Sequence, residues 1–164
     1  MAMISAMIGS ARFHFRAAGV WLVDGHVLLQ GDTRADYWAL PGGRVEIMES
    51  AEDALRRELQ EELEIGDDTH VERLLWITQN FFYWPELGGD QHELGLYFIV
   101  RPGPGALARY ADLTRVYPCA EPDSTITFRW FPLAELAGVI RPTFLASALR
   151  DLPEHPTIIT HQDH

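Results

Sequence analysis

The sequence contains very little cysteine, few basic residues and no apolar run of membrane-spanning length. Cys119 is the only cysteine in 164 residues, so an intramolecular disulfide is impossible, which fits a reducing compartment. With 13 basic against 24 acidic residues, the net charge of −11 argues against a nucleic acid or an anionic membrane as the main partner. Residues 1–13 also lack the basic stretch and long apolar core of a signal peptide. We therefore expect a cytoplasmic protein.

The sequence shows no internal repeat and no interdomain linker, so we expect a single domain over residues 1–164, with loosely ordered ends at 1–11 and 153–164. Alternating or β-branched apolar runs predict strands at 13–23, 26–32, 71–84, 92–100 and 125–133. Helices are predicted at 51–64 and 143–152, and the Pro- and Gly-rich segment 101–124 is predicted to be a surface excursion. This order predicts an α/β (α+β) fold, in which a mixed β-sheet sandwich packs between α-helices.

The segment 51–64 has an unusual distribution of charge for an amphipathic helix. Ser50 is a good N-cap, with Asp53 three residues later. At about 100° per residue, Glu58 and Glu62 fall inside the apolar arc of the helix, and Glu61 lies at its edge. Like charges four residues apart destabilise a helix, and burial raises that cost. A bound divalent cation opposite these carboxylates is the simplest compensation.

The stretch from Gly43 to Ile65 resembles the Nudix box, G-x5-E-x7-R-E-U-x-E-E-x-G-U, in which U is a bulky aliphatic residue. The residues that match are Gly43, Glu49, Arg57, Glu58, Leu59, Glu61, Glu62 and Ile65. The chain departs from the pattern at the second glycine, where Glu64 stands. Glutamate is strained in a left-handed helix cap, so Gly66 is a candidate to replace Glu64 as the cap. The "LPGG" run before the box and the strand with Trp130 before "LAEL" also resemble the family.

This resemblance implies a Nudix-fold hydrolase that cleaves the pyrophosphate of a nucleoside diphosphate linked to another group, with Mg²⁺ or Mn²⁺ as the cofactor. It places Gly43, Glu58, Glu61 and Glu62 in the metal site. It also implies that Arg57 forms an ion pair with Glu49. The catalytic base is left open between Glu62, Glu49 and Glu93, the last of which opens a strand after a Gly-rich loop.

For the substrate, we expect an aromatic side chain from "QNFFYW" to stack on a nucleobase, with Phe81 and Tyr83 as candidates. We also assign Arg44, directly after the first box glycine, to substrate binding. The expected substrate is of the ADP-ribose or nucleotide-sugar type. A nucleoside triphosphate pyrophosphohydrolase and a non-catalytic nucleotide-binding module are the alternatives.

The resemblance also bears on an alternative activity and on the assembly. Isopentenyl diphosphate isomerases of the same fold use a cysteine ahead of the box, whereas Cys119 lies after it, which argues against that activity. Relatives often form dimers, so a homodimer is the candidate assembly.

Overall fold

The computed structural model describes residues 2–163, which form eleven strands and three α-helices. In chain order, the strands are β1 (Ser5–Ile8), β2 (Ala11–Val20), β3 (Leu22–Val23), β4 (His26–Asp32), β5 (Trp38–Ala39), β6 (Gly42–Arg44), β7 (Thr69–Trp84), β8 (Gly89–Pro102), β9 (Val116–Pro118), β10 (Ile126–Pro132) and β11 (Thr157–Gln162). The helices are α1 (Ala51–Leu63), α2 (Pro104–Arg109) and α3 (Leu145–Ala148). None of the helices in this part of the chain has the length and apolar composition needed to cross a membrane.

The strands form two sheets. The larger sheet has the order β1-β2-β8-β7-β11, with β6 also paired to β2, and the smaller has the order β3-β4-β10-β9, with β5 also paired to β4. Strands β2 and β8 run parallel, as do β7 and β11, whereas the other pairs are antiparallel. The fold is a mixed α+β arrangement with sheets packed against helices, as the sequence predicts.

The core consists of two apolar clusters, which follow from alternation along β2. Ala17 belongs to the cluster that contains the apolar residues of α1, including Leu55 and Leu59. Its neighbour Ala18 belongs to the second cluster, with Leu29 and residues around α3. Successive side chains of a strand point to opposite faces, so β2 contributes to both clusters. Helix α1 is thereby fixed against the larger sheet.

Local sequence explains the turn at Asp24-Gly25, and the N-cap predicted at Ser50 is confirmed. Asp24 and Gly25 both have positive φ, 46° and 73°, and they connect the antiparallel pair β3 and β4. Positive φ at both central residues is the geometry of a type I′ hairpin turn, for which Asp-Gly is favoured. Helix α1 begins after Ser50, whose hydroxyl accepts a hydrogen bond from the backbone N–H of Asp53.

The end of α1 corrects one expectation. Glu64 itself adopts the left-handed conformation, with φ 56° and ψ 36°, and its N–H donates to the Gln60 carbonyl. Gly66 does not take over the cap; it begins a short 3₁₀ turn, Gly66–Asp68. The box geometry is therefore kept with a residue that is strained in it, because a left-handed conformation costs a non-glycine residue about 1–2 kcal/mol.

Replacing Glu64 with glycine should stabilise the protein. Relief of the left-handed strain exceeds the extra chain entropy of glycine and the loss of the exposed ion pair with Arg109. We expect a gain of about 0.5–1 kcal/mol in the free energy of unfolding, measured by chemical denaturation. Glu64→Ala is the control, since it removes the same ion pair without relieving the strain of the positive φ. A Glu64→Gly protein no more stable than Glu64→Ala would contradict the prediction.

The ends and connections differ from the sequence prediction in four places. Residues 5–8 form β1, and residues 157–162 form β11, which pairs parallel with β7, so neither described end is irregular throughout. Met1 and His164 of the predicted loose ends lie outside the described residues. The segment 101–124 contains α2 and β9, and the helix predicted at 143–152 is reduced to the four residues of α3.

Candidate active site

Helix α1 presents two of its three box glutamates toward the protein interior. Glu62 is 5% exposed, and its Oε2 has no hydrogen-bond partner in residues 2–163. The Glu58 side chain is 13% exposed, whereas that of Glu61 is 45% exposed. This confirms the angular prediction, in which Glu58 and Glu62 lie on the apolar side and Glu61 at its edge.

Gly42 and Gly43, at the start of the box, bring the backbone close to these carboxylates. A Cβ on Gly43 would lie 2.2 Å from the carboxylate carbon of Glu58, so a side chain at this position would displace Glu58. Gly42 has φ 145°, and a Cβ there would lie 2.1 Å from the Ala17 carbonyl oxygen. Only glycine allows β6 to pass between β2 and α1 at this distance. The backbone of Gly43 therefore borders the Glu58 carboxylate.

Arg57 links the loop before α1 to the helix. Its Nε donates to Glu49 Oε1 at 2.8 Å, and its Nη2 donates to Glu49 Oε2 at 3.0 Å. Its Nη1 donates to Glu58 at 2.8 Å and, more weakly, to Glu61 at 3.3 Å. Its Nη2 also reaches the backbone carbonyl of Arg44 at 3.1 Å. The planar guanidinium thus fixes three carboxylates and the loop in one arrangement.

Burial and like charge raise the pKa values of the two inward-facing glutamates. The pKa of Glu62 rises from 4.5 to about 8, mainly because of burial and then because of the nearby charge of Glu58. Burial also raises the pKa of Glu58, although the hydrogen bond from Arg57 opposes this rise. Arg57 instead lowers the pKa of Glu49, which therefore stays ionised.

The raised pKa of Glu62 makes the stability of the metal-free protein depend on pH. Between pH 4.5 and about 8, the folded protein keeps a proton on Glu62 that the unfolded chain releases, so stability falls as the pH rises through this window. We expect the free energy of unfolding, measured by chemical denaturation with a chelator present, to decrease from pH 5 to pH 8. The decrease should be smaller in Glu62→Gln. Equal pH slopes for the two proteins would contradict the prediction.

The residues of this cluster fit a hard divalent cation. Glu58, Glu61 and Glu62 offer carboxylate oxygens, the ligands that Mg²⁺ and Mn²⁺ prefer. The unpartnered Oε2 of Glu62 is a buried acceptor that a cation would satisfy. These three side chains and the adjacent Gly43 are the residues that could hold the ion.

Two residues from the segment after β9 also reach this cluster, and the sequence analysis did not identify them. One ligand atom each of Glu62, Cys119 and Glu121 lies within 4.8 Å of the others. The backbone N–H of Ala120 donates to the Glu62 carbonyl at 2.7 Å, which joins the segment to the end of α1. No local sequence signal pointed to this contact, since the segment is separated from the box by more than fifty residues.

A cavity of about 410 Å³ lies between the two sheets, and none of the box residues of the carboxylate cluster is part of its wall. Aromatic, small or aliphatic, and polar or charged residues all contribute to its wall. The lining residues are Arg16, Ala18, Gln30, Gly31, Asp32, Ala35, Tyr37, Ala39, Leu40, Asn80, Phe82, Tyr83, Trp84, Glu93, Tyr97, Ile126, Arg141, Pro142 and Asp163. Asn80 is 3% exposed, and its Oδ1 has no partner among the described residues. The cavity thus combines apolar walls with a few polar groups, as small-molecule sites do.

The cavity contains some of the predicted substrate residues and not others. Tyr83 and Glu93 line it, and Glu93 also accepts a hydrogen bond from the buried His14 ring at 2.9 Å. Phe81 does not line it; its ring packs against His92, with centroids 4.7 Å apart. Phe82, the next residue along β7, lies in the cavity wall instead. Arg44 also lies outside the wall and is half-buried.

Arg16 connects the cavity to the carboxylate cluster. Its side chain lines the cavity, and its Nη2 donates to the Leu40 carbonyl at 2.9 Å. Its positive charge also lowers the pKa values of Glu58 and Glu62, against the larger effect of burial. Arg44 lies opposite Arg16 in the pairing of β6 with β2. Of these two paired arginines, Arg16 lines the cavity and Arg44 does not, whereas the sequence analysis identified only Arg44.

Comparisons with known proteins agree with the fold and the box. A family model described as NUDIX domain matches residues 13–152. No curated protein matches the chain. A MutT NUDIX hydrolase from Burkholderia pseudomallei is 21% identical with a TM-score of 0.55, and the match covers 82% of this chain and 95% of that one. A mutator MutT protein from Bacillus halodurans is 16% identical with a TM-score of 0.57, over 90% and 89% of the two chains. An ADP-ribose pyrophosphatase from Streptococcus suis is 17% identical with a TM-score of 0.51, over 92% and 98%.

Proposed function

Because this chain belongs to the Nudix hydrolase family, we propose that it hydrolyses the pyrophosphate bond of a nucleoside diphosphate linked to another group, with Mg²⁺ or Mn²⁺ as its cofactor. The observation that carries the proposal is the buried, unpartnered carboxylate oxygen of Glu62 near the charge of Glu58. Arg16, which lines the aromatic cavity, is close enough to both glutamates for its charge to lower their pKa values. Such an arrangement is costly for stability alone and is explained by a cation that bridges protein and phosphate.

The chain's own residues supply binding and positioning. Arg16 and Arg44 are placed to bind phosphate oxygens between the cavity and the cluster, and guanidinium groups suit this role. Arg57 holds Glu49 and Glu58 in place. When bound by Glu58, Glu61 and Glu62, the ion would polarise a phosphoryl oxygen and lower the pKa of water.

The three candidates for the catalytic base differ in their hydrogen bonding. Both carboxylate oxygens of Glu49 accept hydrogen bonds from Arg57, which suits a positioning residue. Glu93 lines the cavity, and its Oε2 accepts a hydrogen bond from His14. Glu62 alone of the three has an oxygen that is buried and unpartnered in residues 2–163. We therefore favour Glu62 as the proton acceptor from the attacking water.

For the substrate, we favour the ADP-ribose or nucleotide-sugar type. We propose that a nucleobase stacks on one of the aromatic side chains in the cavity wall. Tyr83 remains a candidate there, and Tyr37, Phe82 and Trp84 replace Phe81. A nucleoside triphosphate would use the same cavity and cluster, and it is the alternative substrate. A nucleotide-binding module without activity is the second alternative.

Two further expectations belong to the proposal. The single cysteine and the acidic net charge support a cytoplasmic location and a single-domain enzyme. A homodimer is the assembly that we propose, to be measured by light scattering of the purified protein.

The test is phosphate release, coupled to a phosphatase, with Mg²⁺ and with Mn²⁺. The panel contains ADP-ribose, nucleotide sugars, dinucleoside polyphosphates and nucleoside triphosphates. We expect metal-dependent turnover of one class, with ADP-ribose or a nucleotide sugar the best substrate. Turnover confined to triphosphates would establish the alternative substrate class. Nucleotide binding without turnover under any metal would overturn the hydrolase proposal.

A further inference from the structure

The segment Cys119–Glu121 is held against the end of helix α1 by its backbone. The N–H of Ala120 donates to the carbonyl of Glu62 at 2.7 Å, and the N–H of Cys119 donates to the carbonyl of Ile126 at 3.2 Å. The Glu62 carbonyl is one of the last four of the helix, which have no partner within it. Hydrogen bonds at Cys119 and Ala120 therefore hold this segment against the end of α1.

Three possible metal ligands of two types, carboxylate and thiol, converge at this point. A carboxylate oxygen of Glu62, the sulfur of Cys119 and a carboxylate oxygen of Glu121 all lie within 4.8 Å of one another. Glu62 is only 5% exposed, and its Oε2 has no hydrogen-bond partner among residues 2–163. Cys119 is half-buried, and Glu121 is exposed and can rotate. Glu62 thus has a buried oxygen without a partner, and its carboxylate lies near a thiol and an exposed carboxylate.

The sulfur distinguishes this group from the all-oxygen cluster on α1. Mg²⁺ takes oxygen ligands, whereas Zn²⁺ and Co²⁺ also bind thiolate sulfur. With Zn–S near 2.3 Å and Zn–O near 2.0–2.2 Å, ligand atoms around one zinc ion are about 3.5–4 Å apart. The three ligand atoms, all within 4.8 Å of one another, therefore need to approach by no more than about 1 Å to bind one zinc ion.

We propose that Glu62, Cys119 and Glu121 form a site for a thiophilic divalent cation such as Zn²⁺, which shares Glu62 with the magnesium or manganese site. Three protein ligands leave the fourth position of a tetrahedral ion open for water. Glu62 cannot serve both ions fully, so Zn²⁺ at this site withdraws a carboxylate from the box cluster. Zinc binding therefore inhibits the proposed hydrolysis, and this consequence alone rests on the proposed function.

The test is titration of the native protein with Co²⁺, a spectroscopic substitute for Zn²⁺, in the absence of any substrate. Because Cys119 is the only cysteine, a thiolate-to-cobalt charge-transfer band in the near-ultraviolet can arise only from it. We expect the band in the native protein, its displacement by Zn²⁺, and its absence from Cys119→Ser. No band in the folded native protein would overturn the proposal.

Two glutamate variants test whether the cysteine belongs to a built site. Glu121→Gln and Glu62→Gln should each weaken cobalt binding at least about tenfold, as loss of a metal ligand does. Glu52→Gln, an exposed glutamate in the first turn of α1, is the matched control and should bind cobalt as the native protein does. Unchanged cobalt affinity in Glu121→Gln would overturn the site. A protein that shows the band but no hydrolysis would contradict the proposed function and leave this inference standing.

Discussion

Glu62→Gln is expected to lower kcat/KM by about 10³-fold, equivalent to about 4 kcal/mol of transition-state stabilisation. The substitution keeps the size and burial of the side chain and removes only the negative charge. That charge is needed both to hold the cation and to accept a proton, so the loss should appear mainly in kcat. The measurement is the steady-state rate with the best substrate of the panel, at saturating Mg²⁺.

Two controls separate this effect from a loss of folding. Because glutamine does not bear the charge that burial disfavours, the variant should be at least as stable as the native protein at pH 8 without metal. Glu61→Gln, at the half-exposed edge of the cluster, should lose less activity than Glu62→Gln. A Glu62→Gln protein that retains more than about a tenth of the native kcat/KM would exclude Glu62 as both base and essential ligand.

Arg57→Ala is expected to reduce both stability and activity. The change removes the bidentate hydrogen bonds to Glu49 and the contact with Glu58, and it leaves those half-buried carboxylates without their counter-charge. Removing one partner of a buried ion pair costs about 3–5 kcal/mol of stability. Because this pair is partly exposed, we expect a loss of about 2–3 kcal/mol in the free energy of unfolding. Displacement of Glu58 should lower kcat/KM by about 10²-fold.

The neighbouring arginine provides the control for this prediction. Within residues 2–163, the one ion pair of Arg56 is with Asp53, on the exposed side of the helix. Arg56→Ala should therefore change the free energy of unfolding by no more than about 0.5 kcal/mol and leave activity unchanged. Arg57→Lys should recover little, since an ammonium cannot make the two parallel hydrogen bonds to Glu49. Equal losses in the Arg56 and Arg57 variants would contradict the positioning role.

The local part of the site could be predicted from sequence because its geometry is helical. The burial of Glu58 and Glu62 follows from their angles on α1, and the cap at Ser50 follows from local hydrogen bonding. The strand Thr157–Gln162 could not be predicted in the same way, because its partner β7 lies more than seventy residues earlier. Arg16 and Glu121 reach the cluster through such distant contacts, and nothing in their own sequence neighbourhood indicates it.

The choice between Phe81 and Phe82 shows a different limit. The pairing of β7 with β8 shifts register between Val71 and Arg73 and again between Leu74 and Trp76. Each shift of one residue exchanges the side chains that face the two sides of the sheet. The two shifts cancel, so beyond Trp76 the alternation is again the one counted from the start of the strand, but alternation does not tell which of the two faces borders the cavity. Only the tertiary pairing places Phe82 there.

The order of strands in the larger sheet also has a consequence for how the protein folds. The central pair β7 and β8 is joined by the short turn Pro85–Leu87, whereas the flanking strands β2 and β11 come from opposite parts of the chain and pair parallel. Closing short loops is faster than closing long ones. We therefore expect the β7–β8 hairpin to form early, with Asn80 and Glu93 already paired across it, and the outer strands to dock later. The part of the cavity wall on β7 and β8 would then form before the carboxylate cluster, because the cluster requires α1 to be packed against the complete larger sheet.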